Sequence, residues 1–465
     1  MNIAIIGGGP GGYSAAIKAA QLGGSVTLIE KDHLGGTCLN WGCIPSKILK
    51  HAADSLALVQ KAGDFGIQTG ERPSLDIQAL MQHKEKVLNT QRSGIEALLG
   101  KNGIRVVQGT AVISSSNSLA VTTANNEQSS IVYNRLIIAA GTRPQEIFPA
   151  DHAAILNSND LLCLDSVPES IIIVGGGVIG CEFACILAAF GAEVTLVEAM
   201  PRILPLPGID ASVSKLLQRE MKKQGIRILT GKTAEGLTVS PVGVRLELAA
   251  EANGTPAVLE AQKAALCTGR TPLSADLGLE AAGVAAGPQG WISVNEAMET
   301  SVPGIYAIGD ILGPEKIMLA HAATREGLVA AANAMGGNEI MRYDAIPSAV
   351  FTTPETASVG MTAASAADAG IAATTVQVNY RSLGKAHATG DIAGEAVLIV
   401  ENGTETILGA HITGARASDL IAEAALAITA GLTIHNLTDT IHAHPTFAEI
   451  LYEAGMKAAG TPLHG

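Results

Sequence analysis

The stretch NIAIIGGGPGG, residues 2–12, decides the fold of this chain. Its aliphatic half, Asn2 to Ile6, predicts a strand that is buried on both faces. The glycines that follow allow a tight turn, and Pro10 suits the first turn of a helix. An alanine-rich segment continues this helix to about Leu22. The order of elements predicts the first half of a βαβ unit.

The glycines of this stretch have separate roles in a dinucleotide-binding fingerprint. Gly7 provides the turn, Gly9 lets the backbone approach a pyrophosphate, and Gly12 allows close packing of helix on strand. A second strand is expected over Val26 to Ile29, and Glu30 follows it, where a carboxylate accepts ribose hydroxyls. Glycines alone are a weak signal, whereas strand, glycines, helix, strand and acid in this order are a strong one.

The same unit recurs in the middle of the chain. Strands are expected over Ile171 to Val174 and over Val194 to Val197. The repeated fingerprint residues are Gly175, Gly177, Gly180 and Glu198. The first glycine and the acid are equally far apart in the two copies, which a chance pattern would hardly reproduce. Two fingerprints imply two bound dinucleotides or one that binds twice. We expect two, because a redox cysteine pair needs an electron carrier between itself and a soluble nucleotide.

Such a cysteine pair lies in the stretch GGTCLNWGCIPSK, residues 35–47. A disulfide needs Cα atoms within about 7 Å of each other, so Cys38 and Cys43 are compatible with one if the chain turns at Gly42 and then enters a helix. Cys43 would then lie at a helix N-terminus, where the helix dipole favours thiolate over thiol. The same spacing also suits a structural disulfide or two buried thiols.

Composition and charge narrow the class of protein. The 465 residues suffice for about three domains, and 47% hydrophobic content with only 3% aromatic residues favours aliphatic α/β layers. A formal net charge of −13 argues against nucleic acid or an anionic membrane as a partner. The sequence contains no apolar run of membrane-spanning length and no basic leader before the first strand, so we expect a cytoplasmic protein. The other cysteines are expected to be small buried hydrophobes rather than a secreted disulfide framework: Cys163, Cys181, Cys185 and Cys267.

The segments outside the fingerprints contain further signals. One strand is expected over Ile131 to Ala139, and it ends in a Gly-Thr-Arg-Pro turn that residues 268–272 roughly repeat. A later apolar strand ends at Asp310, which suits a sugar or ribityl hydroxyl and also suits a helix cap. From Ala345 onwards short strands and then two helices, over 417–430 and 447–459, predict an interface domain.

A second reactive constellation lies in HAHPTFAE, residues 442–449. Glu449 is close enough to a preceding histidine to accept a hydrogen bond from it. A carboxylate that orients an imidazole raises its basicity, as general base catalysis requires. The His-Ala-His spacing could instead indicate a metal, although no further ligand cluster lies nearby in the sequence. A capping carboxylate beside a surface histidine is a third interpretation.

With these features the sequence resembles the pyridine nucleotide-disulfide oxidoreductases, the flavoproteins that work through a redox-active disulfide. The resemblance covers nearly the whole chain, and its motifs occur in the family's order. They are both fingerprints and residues 36–47, 269–270, 307–310 and 444–449. The resemblance implies an α/β fold with two Rossmann-like dinucleotide-binding domains, one for FAD and one for NAD, and a C-terminal α+β dimerisation domain.

The resemblance also implies domain boundaries and cofactor contacts. The implied domains are residues 1–145 for the first part of the FAD domain, 146–266 for the NAD domain, 267–338 for the central part that completes the FAD domain, and 339–465 for the interface. The implied FAD contacts are Gly7, Gly9, Gly12, Glu30, Thr37, Lys47, Gly141 and Asp310. The implied NAD contacts are Gly175, Gly177, Gly180, Glu182 and Glu198, and Gly269 joins the cofactor-binding set. Glu182 is expected near the nicotinamide and paired with Lys47; no metal is expected.

The implied reaction is oxidation of dihydrolipoamide by NAD+ through FAD and a Cys38–Cys43 redox disulfide. Cys38 would be the thiol that exchanges with the substrate, and Cys43 the thiol beside the flavin. His444, oriented by Glu449, would be the acid/base and would come from the other subunit of a homodimer. The implied partners are a lipoyl domain as substrate and the E2 subunit of a 2-oxo-acid dehydrogenase complex, or a glycine-cleavage complex.

Two alternatives stay open at this point. The chain could be an NAD(P)H-dependent reductase of another small disulfide, or a scaffold subunit that retains FAD without turnover. Glu198 favours NAD over NADP, because a carboxylate accepts from a 2′-hydroxyl and repels a 2′-phosphate. The intact cysteine pair and His444 with Glu449 argue against the scaffold, which needs none of them.

Overall fold

The computed structural model describes residues 1–70, 73–149, 152–241, 243–250 and 257–464. They form two compact units, each of which gathers segments that are distant in the sequence. The first unit contains Met1–Leu49, Asp76–Gln145 and Gly269–Tyr343, and the second contains Lys50–Leu75, Glu146–Thr268 and Asp344–Gly465. The four-domain division expected from the sequence stays a prediction.

A five-stranded parallel sheet forms the centre of the first unit, with the strand Asn2–Ile6 in its middle. From Ile3 to Ile6 no residue of this strand is more than 6% exposed, which explains its uninterrupted aliphatic character. The strands follow the order Ile305–Ala307, Arg135–Ile138, Asn2–Ile6, Ser25–Glu30 and Arg105–Gln108.

Helix Pro10–Gln21 follows the central strand and packs against helix Ala320–Ala334 of the same unit. The contact depends on small residues, since a Cβ added to Gly327 would lie 2.4 Å from the carbonyl oxygen of Gly11. The glycine and alanine content of the two helices therefore permits a close approach of their backbones.

The expected strand over Ile131 to Ala139 is wrong. The chain instead forms two strands, Gln128–Val132 and Arg135–Ile138, which belong to different sheets. Between them, where the chain passes from one sheet to the other, the backbone N–H of Asn134 donates to the carbonyl of Asn2. Gln128–Val132 completes a three-stranded antiparallel sheet, whose other strands are Thr110–Ser115 and Ser118–Thr122.

The second unit contains a parallel sheet of the same kind, with Ser170–Val174 in its middle. Helix Val178–Ala189 follows that strand, as helix Pro10–Gln21 follows its counterpart. The strand order is Arg227–Thr230, Glu193–Glu198, Ser170–Val174, Lys263–Leu266 and Ile155–Asn157. An antiparallel sheet adjoins it in sequence, with strands Ala234–Ser240, Gly243–Leu248 and Val258–Ala261.

The C-terminal part of the second unit is a five-stranded antiparallel sheet with helices. One hydrophobic core holds Ala410 and Ile412 of the sheet together with residues of helices Ala417–Thr429 and Glu449–Ala458. The strand order is Ser348–Val350, Thr356–Gly360, Ile407–Thr413, Glu395–Glu401 and Ala373–Asn379. The fold class expected from the sequence is thus confirmed: two parallel nucleotide-type sheets and an α+β C-terminal region.

The remaining elements are mostly helical. The α-helices are Gly36–Trp41, Cys43–Gln60, Ile77–Lys101, Ala211–Lys223, Ala363–Asp368, Gly384–Thr389 and Ile434–Asp439. The two Gly-Thr-Arg-Pro-like turns form an antiparallel pair of short strands, Thr142–Pro144 with Arg270–Pro272. Within the described ranges, none of the helices combines the length and apolarity needed to cross a bilayer.

Gly180 offers a direct test of this packing. A Cβ at this position would lie 1.9 Å from the carbonyl oxygen of Gly175, whereas a Cβ at Gly177 would meet nothing within 4 Å. Because a backbone carbonyl in a buried turn cannot easily move, we expect Gly180→Ala to destabilise the protein by about 1–3 kcal/mol. The measurement is the apparent melting midpoint, with Gly177→Ala as the matched control that keeps the wild-type midpoint. Equal midpoints for the two variants would contradict the packing argument.

Candidate active site

The two cysteines of the redox stretch lie at a junction between helices. Cys38 belongs to the short helix Gly36–Trp41, and Cys43 is the first residue of helix Cys43–Gln60. Gly42 separates them in a non-helical conformation, with φ −156° and ψ −110°. The predicted turn at Gly42 and the helix start at Cys43 are thus both present. The structure records both cysteines as thiols, so the disulfide stays a prediction.

The two thiols interact directly. Cys38 shares a sulfur hydrogen bond with Cys43, and this bond raises the pKa of Cys38 well above that of an ordinary thiol. Burial and the charge of Cys43 act in the same direction, whereas the positive charge of Lys47 opposes them without cancelling them. Since thiolate is the reactive form of cysteine, the pair needs a base to release the Cys38 proton.

The first glycine turn is shaped for a dinucleotide pyrophosphate. Gly7 has φ +101°, and a Cβ there would lie 2.2 Å from the carbonyl oxygen of Ala139. Gly9 is the N-cap of helix Pro10–Gln21 and gives it no side-chain capping bond. The N–H groups at the start of this helix are therefore available to an anion, which the helix dipole also favours. These residues fit FAD as the sequence predicts.

Glu30 has a structural role that the sequence did not indicate. Its Oε2 accepts a 2.6 Å hydrogen bond from the N–H of Gly8, and its Oε1 accepts a 2.8 Å bond from the N–H of Asp32. The side chain thus ties the glycine turn to the end of its strand. Both oxygens keep further lone pairs, so the expected contact with ribose hydroxyls is compatible with this role.

The second glycine turn repeats the first in detail. Glu198 accepts hydrogen bonds from the N–H of Gly176 at 2.6 Å and from the N–H of Met200 at 2.7 Å. Gly177 caps helix Val178–Ala189 without a side-chain bond, so the start of this helix is also available to an anion. This turn fits a second dinucleotide, as expected for NAD.

Asp310 lies in a polar network of the first unit. Thr142 donates through Oγ1 to Asp310 Oδ2 at 3.3 Å, and Arg270 donates through Nε to the same hydroxyl at 2.6 Å. Burial raises the pKa of the Asp310 carboxyl, and the charge of Arg270 and the Thr142 bond offset this only in part. Thr142 and Arg270 were missed as site residues, although the repeated Gly-Thr-Arg-Pro pattern already set them apart.

Three further residues predicted to contact the cofactors, Thr37, Lys47 and Glu182, lie in helices. Thr37 is half-buried in the helix that holds Cys38. Lys47 donates to its neighbour Ser46 at 3.3 Å, and Glu182 accepts from the N–H of Phe351 at 2.9 Å. The pairing of Lys47 with Glu182 stays a prediction.

Gly141 and Gly269 both have positive φ, +68° and +132°. The carbonyl of Gly269 accepts from the N–H of Gln145 at 3.0 Å, so this glycine lies beside the paired Gly-Thr-Arg-Pro turns. Their contacts with cofactors stay predictions.

His444 and Glu449 form the expected pair. His444 Nδ1 lies 2.8 Å from Glu449 Oε1, and the N–H of Thr446 donates to Oε2 at 2.9 Å. Burial alone would raise the pKa of the Glu449 carboxyl, but the bonds from His444 and Thr446 and the histidine charge lower it instead. Glu449 therefore stays ionised and fixes the imidazole, whose other edge is exposed, with 73% of the side chain accessible. Glu449 begins helix Glu449–Ala458, two residues later than the sequence suggested.

His442 belongs to a different pair. Its Nε2 lies 2.8 Å from Glu423 Oε1, and its Nδ1 lies 3.0 Å from the carbonyl of Thr440. The two histidines of the His-Ala-His sequence thus bind separate carboxylates. Among the residues that the structure describes, no group of three or more potential ligands could hold a metal ion.

One expectation about the surrounding residues is wrong. Cys163 is exposed rather than buried, because it ends a short turn of 3₁₀-helix. After the second fingerprint, the guanidinium of Arg202 donates to the carbonyls of Leu204, Leu206 and Ile209. It therefore orders the loop that follows the second fingerprint.

Comparisons with known proteins agree with this geometry. Residues 1–327 match the family model described as pyridine nucleotide-disulphide oxidoreductase, and residues 346–454 match its dimerisation domain. The chain is 39% identical to dihydrolipoyl dehydrogenase of Chlamydia trachomatis serovar D, over 100% of this chain and 98% of that protein. It is 39% identical to dihydrolipoyl dehydrogenase of Bacillus subtilis strain 168, over 99% and 97%.

Solved structures of two other proteins match the fold over nearly the whole chain. The crystal structure of LpdA from Mycobacterium tuberculosis matches with a TM-score of 0.90 at 26% identity, covering 98% of this chain and 99% of that one. The HOCl-induced flavoprotein disulfide reductase RclA from Escherichia coli matches with a TM-score of 0.84 at 27% identity, over 98% and 99%.

The interaction between the two thiols can be tested by labelling. Cys43→Ala removes the main cause of the raised pKa of Cys38, so a larger fraction of Cys38 becomes thiolate at about pH 8. We expect iodoacetamide to label Cys38 at least ~10-fold faster in this variant than in reduced wild-type protein. Peptide mass spectrometry over a time course measures the rate, and Cys163→Ala serves as the control with an unchanged rate. An equal rate in Cys43→Ala and wild type would rule out the interaction.

Proposed function

Because this chain belongs to the pyridine nucleotide-disulphide oxidoreductase family, we propose that it is a dihydrolipoyl dehydrogenase, which oxidises dihydrolipoamide and reduces NAD+. The observation that carries the proposal is the position of Cys38 and Cys43 on two successive helices separated only by Gly42, with Cys43 at the start of the second. The chain also has two glycine turns, each at the uncapped start of a helix, and each suits the pyrophosphate of one dinucleotide. Full-length relatives with that name support the choice of substrate.

The residues fit the two cofactors of such an enzyme. FAD would be held by the turn at Gly7 to Gly12, by Glu30 and by Asp310, and NAD by the turn at Gly175 to Gly180 and by Glu198. When bound, FAD supplies two-electron chemistry between the thiols and NAD+. Glu198 favours NAD over NADP, since its buried negative charge would repel a 2′-phosphate.

The cysteines carry out the exchange with the substrate. In the oxidised pair, a thiolate of dihydrolipoamide attacks the sulfur of Cys38, the Cys38–Cys43 bond breaks, and Cys43 leaves as thiolate. The second substrate thiolate then attacks the mixed disulfide, forms lipoamide and releases Cys38. The substrate has lost two electrons and two protons, and the cysteine pair has gained the electrons.

His444 removes protons from the substrate thiols, because only thiolate attacks a disulfide and an ordinary thiol has a pKa of about 8.5. The bond between Nδ1 and Glu449 leaves Nε2 to take the proton. The chain has a dimerisation domain. We propose a homodimer in which the cysteine pair of one subunit works with His444 of the partner subunit.

The wider setting is also a proposal. A lipoyl domain is the expected carrier of the substrate, and the E2 subunit of a 2-oxo-acid dehydrogenase complex is the expected partner. A glycine-cleavage complex would supply the same dithiol. A cytoplasmic location stays a prediction.

Steady-state kinetics test the proposal directly. Protein purified with its flavin should reduce NAD+ with dihydrolipoamide, and kcat/KM for NAD+ should exceed that for NADP+ by at least ~10-fold, since an unpaired 2′-phosphate beside a buried carboxylate costs more than 1.4 kcal/mol. The measurement is the absorbance of the reduced nucleotide. A preference for NADPH with glutathione disulfide would indicate a reductase of another small disulfide. Absence of turnover with every pair of substrates would indicate a scaffold.

A histidine variant tests the base. His444→Gln should slow dihydrolipoamide oxidation at least ~10²-fold, the usual contribution of a positioned general base, without changing the melting midpoint. The matched control is His435→Gln, because His435 also forms an exposed pair with a glutamate, at 2.7 Å from Glu405. Near-normal turnover in His444→Gln would remove this residue as the base.

A further inference from the structure

Asn40 lies between the two cysteines in the sequence and is 4% exposed. Its Nδ2 donates to the carbonyls of Gly36 at 2.9 Å and Leu34 at 3.1 Å, and it lies 3.4 Å from the carbonyl of His33. These carbonyls belong to the start of helix Gly36–Trp41 and to the loop before it. One side chain thus connects the entry of the helix to its last turn.

The helix that Asn40 braces has little stability of its own. It has six residues, and its N-cap, Gly35, has a left-handed φ of +95° and no side-chain cap. Isolated helices of this length are unstable in water. The position of Cys38 on this helix therefore depends on contacts with the rest of the first unit.

Arg92 supplies the decisive contact from helix Ile77–Lys101. Its Nε donates to Asn40 Oδ1 at 2.6 Å, which directs the amide nitrogen of Asn40 towards the carbonyls. The guanidinium is itself held by Asn89 Oδ1, at 2.9 Å from Nη1, and lies 4.0 Å from Glu85 Oε2. The short helix is thus anchored to a 25-residue helix through one side chain of each.

We propose that Asn40 and Arg92 are positioning residues that set the redox equilibrium of the Cys38–Cys43 pair. A disulfide tolerates a narrower range of sulfur positions than two thiols do, and a strained disulfide is reduced more easily. An anchored helix therefore favours the disulfide, and loss of the anchor favours the thiols. The inference rests on the proposed function only in taking the two cysteines as the redox couple.

The test measures that equilibrium in the flavin-containing protein. Oxidised dithiothreitol takes two electrons and two protons from the Cys38 and Cys43 thiols, which form the disulfide, and becomes reduced dithiothreitol. After equilibration at a series of dithiothreitol ratios, acid quenching and alkylation, mass spectrometry counts the thiols. We expect the equilibrium constant for disulfide formation to fall about tenfold in Asn40→Ala and in Arg92→Gln, equivalent to ~30 mV for a two-electron couple.

Matched variants separate positioning from general stability. Arg105→Gln removes an exposed arginine from the same unit and should leave the equilibrium unchanged. The double variant Asn40→Ala/Arg92→Gln should shift the equilibrium no further than Asn40→Ala alone, because Arg92 acts on the short helix through Asn40. Arg92→Lys, which keeps the charge but loses the Nε donor, should also shift it, and it replaces Arg92→Gln if that variant does not fold.

The outcomes are distinct. Variants with a lower melting midpoint and a wild-type thiol–disulfide equilibrium would overturn the proposal and leave Asn40 and Arg92 as ordinary structural residues. Additive shifts in the double variant would also overturn it. A shifted equilibrium in a protein that fails to oxidise dihydrolipoamide would refute the proposed function and leave this inference intact.

Discussion

The nucleotide-binding parts of this structure depend on one steric constraint, the absence of a Cβ where a helix leaves the turn after its strand. A Cβ on Gly12 would lie 1.9 Å from the carbonyl oxygen of Gly7, and a Cβ on Gly180 would lie at the same distance from that of Gly175. With glycine in both places, each helix starts directly over the end of a central strand. Neither helix has a side-chain cap, so its first N–H groups are available to an anion such as a pyrophosphate.

The acids of the two fingerprints hold these turns by hydrogen bonds and also make them negative. Buried carboxylates are unfavourable unless hydrogen bonds satisfy them, and Glu30 and Glu198 each accept two backbone N–H bonds. The same two bonds fix the shape of the glycine turn. In the proposed function, one side chain in each unit would therefore both accept a ribose hydroxyl and hold the shape of the glycine turn, and a substitution at either acid would alter both.

Local features were predictable, whereas long-range pairings were not. The helix start at Cys43 follows from Gly42 and Pro45 alone, and His444 reaches a carboxylate only five residues away. The split of Ile131 to Ala139 was missed although Asn134 and Arg135 interrupt the apolar residues there, because the sequence does not show to which sheet each half belongs. Arg92 with Asn40, and Arg270 with Thr142, join residues 52 and 128 positions apart, and no local pattern encodes such a contact.

The discontinuity of the first unit has a consequence for biosynthesis. The strand Asn2–Ile6 is synthesised long before Ile305–Ala307, the strand that completes one edge of its sheet. Helix Pro10–Gln21 packs its small residues against helix Ala320–Ala334, which is synthesised later still. Such non-local pairing is slow, and an uncovered aliphatic strand edge invites aggregation. On the nascent chain, residues 2–21 therefore keep apolar surface uncovered until residues 305–334 have been made.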